Sequence, residues 1–479
     1  MEFFSKINLI LPEIAILLFI GIQLCLSFFC DASKYKVSKW ISILGIFISA
    51  ALCSKVQIEP ICYAFNNSVI SDSFTMFFKL FILISSFLLV FLTKRALAAN
   101  RSNAFRFNAL FLTNILGALV LVSANDFLTM FLALEIVSVS STFMLAYDNG
   151  YFSKESALKF FVISLVATAI FLFGVAYLYG ISNSFNCSEI YEFFDDKQPT
   201  LLYSMAVIMI VSGLSFKIGI LPFSNWIVDI YEGSSTSILG ILSIVPKLAL
   251  FGILTRLLVF PLSYSYELTF VLVLIATLTA IWANLLAIRQ RNIKKLLACC
   301  VSANSSYVLF SAALVSVYNL STVLFYLISF VFMYIGVVAA IVILENSPFS
   351  NKLYEFKNFA YTNPIFTLCF AICILGLAGI PLTSGFVSKI YLLSAIVRSG
   401  LVFLPFLIII VLTIVVSMYY YLNVIRYMFE KSDKVESAVV AHKTGSSIII
   451  LYFCTIITLI LGLCPEKVIE LCQLIAYNV

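Results

Sequence analysis

The sequence predicts an all-α membrane protein with about fourteen transmembrane helices, arranged as two inverted five-helix repeats with breaks in the seventh and twelfth helices. The first observation is composition: of 479 residues, 62% are hydrophobic and 11% are charged, whereas soluble proteins carry about 25% charged residues. The second is that the apolar residues form fourteen runs near the length of about 20 residues that a spanning helix needs. The third is that glycine or proline interrupts two of these runs close to a lysine.

The fourteen runs follow one another with short connections, so we expect no soluble domain. The first run is longer than the apolar part of a secretion signal and lacks an A-x-A cleavage motif, so it is interpreted as a spanning helix. The predicted spans are residues 8–29, 38–58, 74–93, 107–124, 127–147, 156–181, 201–222, 236–260, 268–288, 296–315, 320–344, 364–397 (broken), 401–428 and 446–464.

Charges in the connections predict the orientation of the chain. If both termini are outside, the connections after odd-numbered spans are cytoplasmic, and they hold nineteen of the 29 lysines and arginines, against six on the other side. Cytoplasmic loops of membrane proteins carry an excess of these residues, so the bias supports both the count and the orientation. The net charge of +6 is spread over short loops, and we therefore expect a lipid bilayer but no nucleic acid as a partner.

Lys217 and Lys247 lie inside predicted spans, and each is close to a proline. Pro222 follows Lys217 by five residues, and Pro246 directly precedes Lys247. A charged side chain at the bilayer centre costs about 2.5–3.5 kcal/mol on insertion scales, so such residues are rare and usually functional. A proline that breaks a spanning helix frees backbone groups that only protein or cavity water can satisfy. We interpret both lysines as candidate proton or ion sites; the alternative is a lysine that snorkels from a helix end.

Glu135 and Lys389 complete the candidate set. Glu135 lies midway along FLTMFLALEIVSVSSTF, and Lys389 follows the break in LGLAGIPLTSGFVSKIYLL. The alternative role for Glu135 is a structural hydrogen bond to a neighbouring helix. Lys79 lies near the start of its span and is expected to snorkel to the interface. The broken spans lie five helices apart with a lysine near each break, which is the pattern of two related halves.

The repeats predict four parts of the chain. They are spans 1–3 in residues 1–106, the first repeat of spans 4–8 in 107–260, the second repeat of spans 9–13 in 261–428, and a C-terminal loop with span 14 in 429–479.

Buried charges of opposite sign can exchange protons when a partner moves, provided that hydrated side chains connect them. Hydroxyl and amide side chains near the charges are candidates for such a path, although residues of this kind also pack membrane helices together. The candidates are Ser138, Ser140, Ser141, Thr142, Asn304, Ser305, Ser306 and Tyr307.

No motif for bond-making chemistry occurs in the chain. The twelve cysteines lie mostly alone in apolar runs, without a C-x-x-C pair, and are interpreted as small apolar side chains rather than metal or iron–sulfur ligands. A hydrolase triad, a phosphate-binding loop and a dinucleotide motif are all missing from the sequence. We therefore predict no catalytic residue, no cofactor and no metal in this chain.

Several pieces of the chain, in order and covering nearly all of it, resemble the antiporter-like membrane subunits of respiratory complex I, closest to the subunit N group of bacterial NADH-quinone oxidoreductase. The early Leu-Pro-Glu and the Tyr-Glu-Gly at 231–233 favour that group over the L and M groups and over cation/proton antiporter subunits. The pieces are Leu11-Pro12-Glu13, FLALEIVS around Glu135, ESALKFFVIS (155–164), GLSFKIGILPF (213–223), Trp226, DIYEGSST (229–236), Lys247, NLLAIRQRNIKKLLACCVSANSSY (284–307) and LAGIPLTSGFVSKIYLL (377–393).

The resemblance implies a proton-translocating subunit of a translocase that is driven by quinone reduction elsewhere in the complex. Its proton-pathway positions are Glu135, Lys217, Lys247 and Lys389: Glu135 would pair with Lys217, Lys247 would pass the proton along the central axis, and Lys389 would exchange it with the far side. NADH, FMN, iron–sulfur clusters and a quinone such as ubiquinone would be bound by partner subunits. The implied partners are other antiporter-like and small membrane subunits, in a bacterial inner membrane with periplasmic termini; an organelle membrane is the alternative.

The chain departs from the group at two positions. Ser224 stands where the group commonly has histidine after Pro-Phe, and Asn304 stands where it commonly has histidine after alanine. The central axis would then depend on lysines, hydroxyls and water. Two alternatives remain open: a subunit of a multisubunit cation/proton antiporter, and a structural membrane subunit that does not conduct. Retention of all four charged positions argues against the second.

Overall fold

The structure, a computed structural model, describes residues 7–29, 35–54, 61–93, 103–148, 150–195, 201–259, 266–345, 350–431 and 445–477. Within these ranges the chain is helical almost throughout, with one short antiparallel hairpin, β1 (Cys62–Ala64) and β2 (Val69–Ser71). The α-helices are α1 (Leu11–Phe29), α2 (Tyr35–Cys53), α3 (Ser73–Leu92), α4 (Ala104–Ser123), α5 (Phe127–Leu145), α6 (Tyr151–Ser182), α7 (Cys187–Asp195), α8 (Leu201–Ile218), α9 (Asn225–Gly233), α10 (Thr236–Val259), α11 (Tyr266–Ile288), α12 (Ile293–Ala313), α13 (Val317–Leu344), α14 (Phe359–Thr362), α15 (Pro364–Ala378), α16 (Ser384–Arg398), α17 (Leu404–Phe429), α18 (Gly445–Leu463) and α19 (Glu466–Tyr477).

The predicted membrane fold is confirmed. In the described ranges, thirteen helices are long and apolar enough to cross a membrane, and α15 together with α16 forms the predicted twelfth span. The hairpin and the short helices α7, α9 and α19 lie outside the predicted spans, where the sequence indicated no regular element. Most of the predicted C-terminal loop, including His442, the one histidine of the chain, lies outside the described residues.

Both predicted breaks occur at a glycine with left-handed backbone geometry. Helix α8 ends at Ile218 and is followed by Gly219 with φ 85°. Helix α15 ends at Ala378, and Gly379 (φ 81°) donates its N–H to carbonyls of the last turn. Glycine adopts this conformation without the steric cost of a Cβ, which is why it commonly follows a helix C-terminus. By contrast, Pro246 lies inside the continuous helix α10.

The chain divides into two compact units, each of which is described by itself. Unit 1 contains Met1–Gly219, Gly233–Val271 and Ile475–Val479, and unit 2 contains Ile220–Glu232 and Leu272–Leu474. In unit 1, α10 is buried along its spanning segment and packs on α3, α4 and α8. In unit 2, α13 holds the central position and packs on α12, α15, α16 and α18.

Small residues allow the closest helix pair of unit 1. Helices α6 and α8 pack along their length. A Cβ on Gly174 would lie 2.8 Å from the carbonyl oxygen of Ala206, and one on Gly213 would lie 2.9 Å from that of Ala167. Membrane helices associate through such close contacts because lipid tails are as apolar as the side chains. The pairing fixes the position of the C-terminal end of α8, where Lys217 lies.

Candidate functional site

Glu135 and Lys217 form a partly buried ion pair in unit 1. The Lys217 Nζ lies 3.6 Å from Glu135 Oε1, and the two side chains are 9% and 25% exposed. The ammonium group donates to the hydroxyl of Ser138 at 2.7 Å and to the carbonyl of Leu134 at 3.4 Å. Because Leu134, Glu135 and Ser138 lie within one turn of α5, a single face of that helix binds the lysine of α8.

A third helix holds the carboxylate. Thr168 of α6 donates its hydroxyl to Glu135 Oε1 at 2.6 Å. The ion pair is looser than the other buried pairs of the described residues, which have N···O distances of 2.6–2.9 Å. A charge-assisted hydrogen bond is normally about 2.7–2.9 Å long, so Glu135 and Lys217 are in contact without being locked together. Such a pair can separate, and each group can then exchange a proton with a neighbour.

Lys247 occupies the buried helix α10 of the same unit. Lys247 is 5% exposed and directly follows Pro246. Because proline lacks an N–H, the carbonyl of Leu242 loses its intrahelical donor one turn before Lys247. Helix α8, which carries Lys217, packs against α10. The two lysines therefore lie on neighbouring helices.

Lys389 lies at the broken span of unit 2. Its ammonium group donates to the carbonyls of Leu377 at 2.8 Å and Ala378 at 2.9 Å, the last two residues of α15. The final carbonyls of a helix have no intrahelical donor and carry partial negative charge. The break thus supplies the acceptors that a 95% buried lysine needs.

Gly379 makes room for this lysine. A Cβ on Gly379 would lie 2.7 Å from Lys389 Cδ and 3.2 Å from its Nζ. The positive φ of Gly379 also disfavours any other residue. One glycine therefore ends α15 and leaves the space that the Lys389 side chain fills.

A hydrogen-bonded network of tyrosine and amide side chains reaches Lys389 through the Tyr307 ring. Its Nζ lies 6.0 Å from the centre of the Tyr307 ring. The Tyr307 hydroxyl accepts from Asn284 Nδ2 at 3.2 Å and donates to Thr413 Oγ1 at 3.4 Å. Tyr420 donates to the amide oxygen of Asn284 at 3.0 Å. Of the sequence-derived path candidates, Tyr307 is thus placed beside a candidate lysine.

The two residues that depart from the family pattern have different surroundings. Asn304 accepts from the Tyr326 hydroxyl at 2.6 Å and donates to the carbonyl of Cys300 at 2.7 Å. Ser224 is fully buried, and its hydroxyl has no hydrogen-bond partner among the described residues. An unpaired buried hydroxyl is costly unless a water molecule fills the place of the partner. The amide of Asn304 is therefore bonded at both its oxygen and its nitrogen, whereas the Ser224 hydroxyl is unpaired among the described residues.

The prediction that Lys79 snorkels is wrong. Its side chain is fully buried in unit 1, with Nζ 2.6 Å from Glu13 Oε1. Snorkelling fails here because α3 lies inside a bundle and the carboxylate of α1 meets the lysine there. The sequence feature that could have indicated this contact is the position of Lys79 inside a span, because an ionisable residue in a span usually has a partner in the bundle interior.

Two further buried ion pairs were missed. Arg256 donates to both carboxylate oxygens of Asp72 at 2.8 and 2.6 Å, and Asp72 also caps the N-terminus of α3. In unit 2, Lys294 Nζ lies 2.9 Å from Glu345 Oε1. Both basic residues lie close to the ends of apolar runs, and the sequence analysis counted them with the connections.

The cysteines of the described ranges are free thiols. Within the described part of the chain, no group of three or more His, Cys, Asp or Glu side chains could hold a metal ion. Cys187, in the connecting helix α7, is buried, and burial raises the pKa of its thiol. A thiol held protonated in this way is a poor nucleophile and a poor ligand.

Comparison with known proteins gives a family and a fold. The family profile described as "NADH:quinone oxidoreductase/Mrp antiporter, TM" matches residues 124–417, more than half of the chain. The chain is similar to NADH-quinone oxidoreductase subunit N of Ruthia magnifica subsp. Calyptogena magnifica, with 29% identity over 469 residues and 96% of each protein covered.

Two solved assemblies contain chains of the same fold. A chain of respiratory complex I from Thermus thermophilus with bound aureothin superposes with a TM-score of 0.80 at 24% identity, covering 96% of this chain and 99% of that one. A chain of the Mrp complex from Dietzia sp. DQ12-45-1b superposes with a TM-score of 0.83 at 18% identity, covering 97% of both. At these identities the likeness is one of fold.

Proposed function

Because the chain belongs to the NADH:quinone oxidoreductase/Mrp antiporter family of membrane subunits, we propose that it is a proton-translocating subunit of an NADH-quinone oxidoreductase. The observation that carries this proposal is the loose ion pair of Glu135 and Lys217, bound to the Ser138 hydroxyl inside spanning helices. A buried acid and base in contact, with a neighbouring hydroxyl, can take up and release a proton. Quinone reduction in partner subunits supplies the free energy.

Glu135 and Lys217 act as the control point of unit 1. When the carboxylate is near, it stabilises the ammonium form of Lys217; when it moves away or is protonated, the lysine gives up its proton more readily. The Thr168 hydroxyl binds the carboxylate at Oε1, the same oxygen that faces the lysine. The proton is passed from Lys217 to Lys247 on the adjacent helix.

Lys389 exchanges the proton with the far side of the membrane. Its hydrogen bonds to the last carbonyls of α15 favour the ammonium form of the lysine. Because these acceptors are free only at the break, the side chain can make both bonds in only one position. The breaks after Ile218 and Ala378, each close to a lysine, support two related repeats at residues 107–260 and 261–428.

The partners follow from the same assignment. This chain itself performs proton transfer, and NADH, FMN, iron–sulfur clusters and quinone belong to other subunits. We place the chain in a bacterial inner membrane, and the excess of basic residues on connections after odd-numbered spans supports an orientation with both termini on the periplasmic side.

A cation/proton antiporter subunit is the second candidate function. The superposition on a chain of the Mrp complex favours it as much as the complex I superposition favours the first, because the fold is common to both. The similarity over 96% of each chain to a protein named as subunit N supports the first candidate. The two functions differ in the proteins that assemble with the chain.

A native gel separates these candidates. Membranes carrying the tagged full-length chain are extracted in mild detergent, stained in the gel for NADH dehydrogenase activity, and the tagged band is identified by mass spectrometry. We expect a large NADH-active band that contains quinone-reductase subunits. A smaller, NADH-inactive band with other membrane partners would assign the chain to an antiporter instead.

A further inference from the structure

We propose that a cavity at the outer end of the helices in unit 1 binds the headgroup of a phospholipid that carries an amine, with the phosphate group at Arg256 and the ammonium group at Glu192. The cavity has a volume of about 200 Å³ and is lined by the hairpin, the end of α10 and the connecting helix α7. None of the proton-pathway residues lines it. The inference therefore goes beyond the proposed function and depends only on the membrane fold.

The cavity lies at the surface of the membrane. Asp72 caps the first turn of α3, and Arg256 lies in the last turn of α10. Both helices are long and apolar enough to span the bilayer, so their ends lie at the depth of the lipid headgroups, outside the hydrocarbon core. The connections that line the cavity follow even-numbered spans, and the charge bias assigns these connections to the outer side.

Arg256 has hydrogen-bond donors that the protein does not use. Its bonds to Asp72 and Thr75 all come from Nη2, and the centre of the Phe74 ring lies 5.2 Å from Cζ. Within the described ranges, Nε and Nη1 of Arg256 are buried and have no hydrogen-bond partner. Unpaired buried donors cost free energy, so an acceptor that enters the cavity gains free energy by binding to them.

A further donor lies on α7. The Ser188 hydroxyl accepts from Asn125 Nδ2 at 3.1 Å, and its own O–H has no acceptor among the described residues. Ser188 and Arg256 both line the cavity. A phosphate group accepts several hydrogen bonds at once, and its bonds to arginine are strengthened by charge. The two side chains therefore provide the donors that a lipid phosphate needs.

The size and the walls of the cavity fit an amphiphile better than water alone. Its volume is more than ten times the roughly 10–15 Å³ that one buried water molecule needs. Ile70, Met130 and Leu257 form apolar parts of the wall, and the exposed residues Ile61 and Tyr63 mark the mouth. The carbon atoms of a lipid would remove this apolar surface from water, which is favourable.

The charges around the cavity select the headgroup. Arg256 and Asp72 neutralise each other, and the exposed Glu192 of α7 adds a negative charge to the wall. Inorganic phosphate or phosphatidylglycerol would meet this excess of negative charge, and a lone cation would leave the Arg256 donors unpaired. A zwitterion with a phosphate and an ammonium group, such as phosphatidylethanolamine, complements both Arg256 and Glu192.

Photolabelling tests where the lipid binds. The complex that contains the tagged full-length chain is purified in mild detergent and mixed with phosphatidylethanolamine that carries a diazirine near the ester end of one acyl chain. After illumination, labelled peptides are identified and quantified by mass spectrometry. We expect label on the peptide that contains the hairpin, β1 to β2. Unlabelled phosphatidylethanolamine should displace this label, whereas phosphatidylglycerol and inorganic phosphate at the same concentration should not.

Arg256→Lys tests the phosphate end of the site. Lysine keeps the positive charge beside Asp72 but removes the unused guanidinium donors, so the affinity for the lipid, measured by competition, should fall about tenfold or more. Arg398→Lys is the control: Arg398 belongs to unit 2, with its Cζ 4.3 Å from the centre of the Tyr318 ring. We expect this variant to be labelled like the wild type.

Glu192→Gln tests the amine end. Loss of the carboxylate charge should lower the preference for phosphatidylethanolamine over phosphatidylglycerol by up to about fivefold, the contribution of an exposed ion pair. Glu189→Gln is the matched control on the same helix, because Glu189 accepts from Ser184 and does not line the cavity. Since Glu192 is exposed, its variant is expected to fold even if Arg256→Lys does not.

Three results would overturn the proposal. They are the absence of label on the hairpin peptide, displacement of the label by phosphatidylglycerol or inorganic phosphate as strong as that by phosphatidylethanolamine, and wild-type affinity and preference in both the Arg256 and the Glu192 variants. Each leaves the proposed function standing, because that function is tested by the subunits found in the NADH-active band.

Discussion

Replacing Lys217 by alanine is expected to slow proton transfer through this chain by about 10²-fold or more, the usual contribution of a positioned acid–base group. The variant removes the ammonium group that lies between Glu135 and Ser138, so the proton has no basic group to move to from the carboxylate. If electron transfer cannot proceed without proton transfer through this chain, the rate of NADH oxidation should fall as well. If electron transfer can proceed without it, the number of protons translocated per electron should fall instead. Both quantities are measured in inverted vesicles.

Lys217→Arg sharpens this prediction. Arginine keeps the positive charge next to Glu135 but does not release a proton in proteins. We therefore expect Lys217→Arg to assemble well and still fail to pump, which a purely structural role of the charge would not produce. Lys159→Ala is the matched control, because that lysine forms an exposed i,i+4 pair with Glu155 on α6 and such pairs contribute only about 0.3–0.5 kcal/mol. Unchanged rate and ratio in both Lys217 variants would contradict the assignment.

The second large effect is expected at Lys389. Lys389→Met removes the ammonium group but fills the space, so proton exchange with the far side should fall by about 10²-fold or more. The carbonyls of Leu377 and Ala378 lose their hydrogen-bond donor. We therefore expect the free energy of unfolding of this region to fall by about 1–3 kcal/mol. Proton translocation and the thermal stability of the purified complex are the measurements.

Gly379→Ala tests the position of this lysine without changing its chemistry. The added methyl group would meet Lys389 Cδ at 2.7 Å and push the side chain away from its carbonyl partners. We expect translocation to fall towards the Lys389→Met level. Gly400→Ala is the control: this glycine also has a positive φ, of 123°, but nothing lies within 4 Å of an added Cβ. Equal pumping in the two glycine variants would show that the contact with Lys389 does not matter.

The spans and breaks could be predicted from the sequence because they depend on local properties. Fourteen apolar runs are separated by polar connections, and a spanning helix satisfies its own backbone hydrogen bonds wherever it lies in the bundle. The break at Gly379 was visible because glycine is the residue that adopts its positive φ without strain. Lys217 and Lys389 were identified as candidates for a similar reason, since a charge within an apolar run is conspicuous by itself.

Contacts between helices could not be predicted in the same way. Arg256 and Asp72 are 184 residues apart in the chain, and nothing in either apolar run specifies the other as its neighbour. Lipid-facing and protein-facing surfaces are both apolar in a membrane helix, so the hydrophobic pattern does not identify the packed face. For the same reason the partner of Lys79 was missed.

The most direct test of the account is a double-mutant cycle on Glu135 and Lys217, with proton translocation per NADH oxidised as the measured quantity. If the two side chains act as one unit, Glu135→Gln and Lys217→Ala should each lower translocation and their combination should be little worse than either alone. Contacting residues typically show coupling of about 0.5–3 kcal/mol, which corresponds to a departure from independent effects of about 2- to 150-fold. If the loss of translocation in the double variant equals the product of the losses in the two single variants, the two side chains act independently. That result would contradict the central claim.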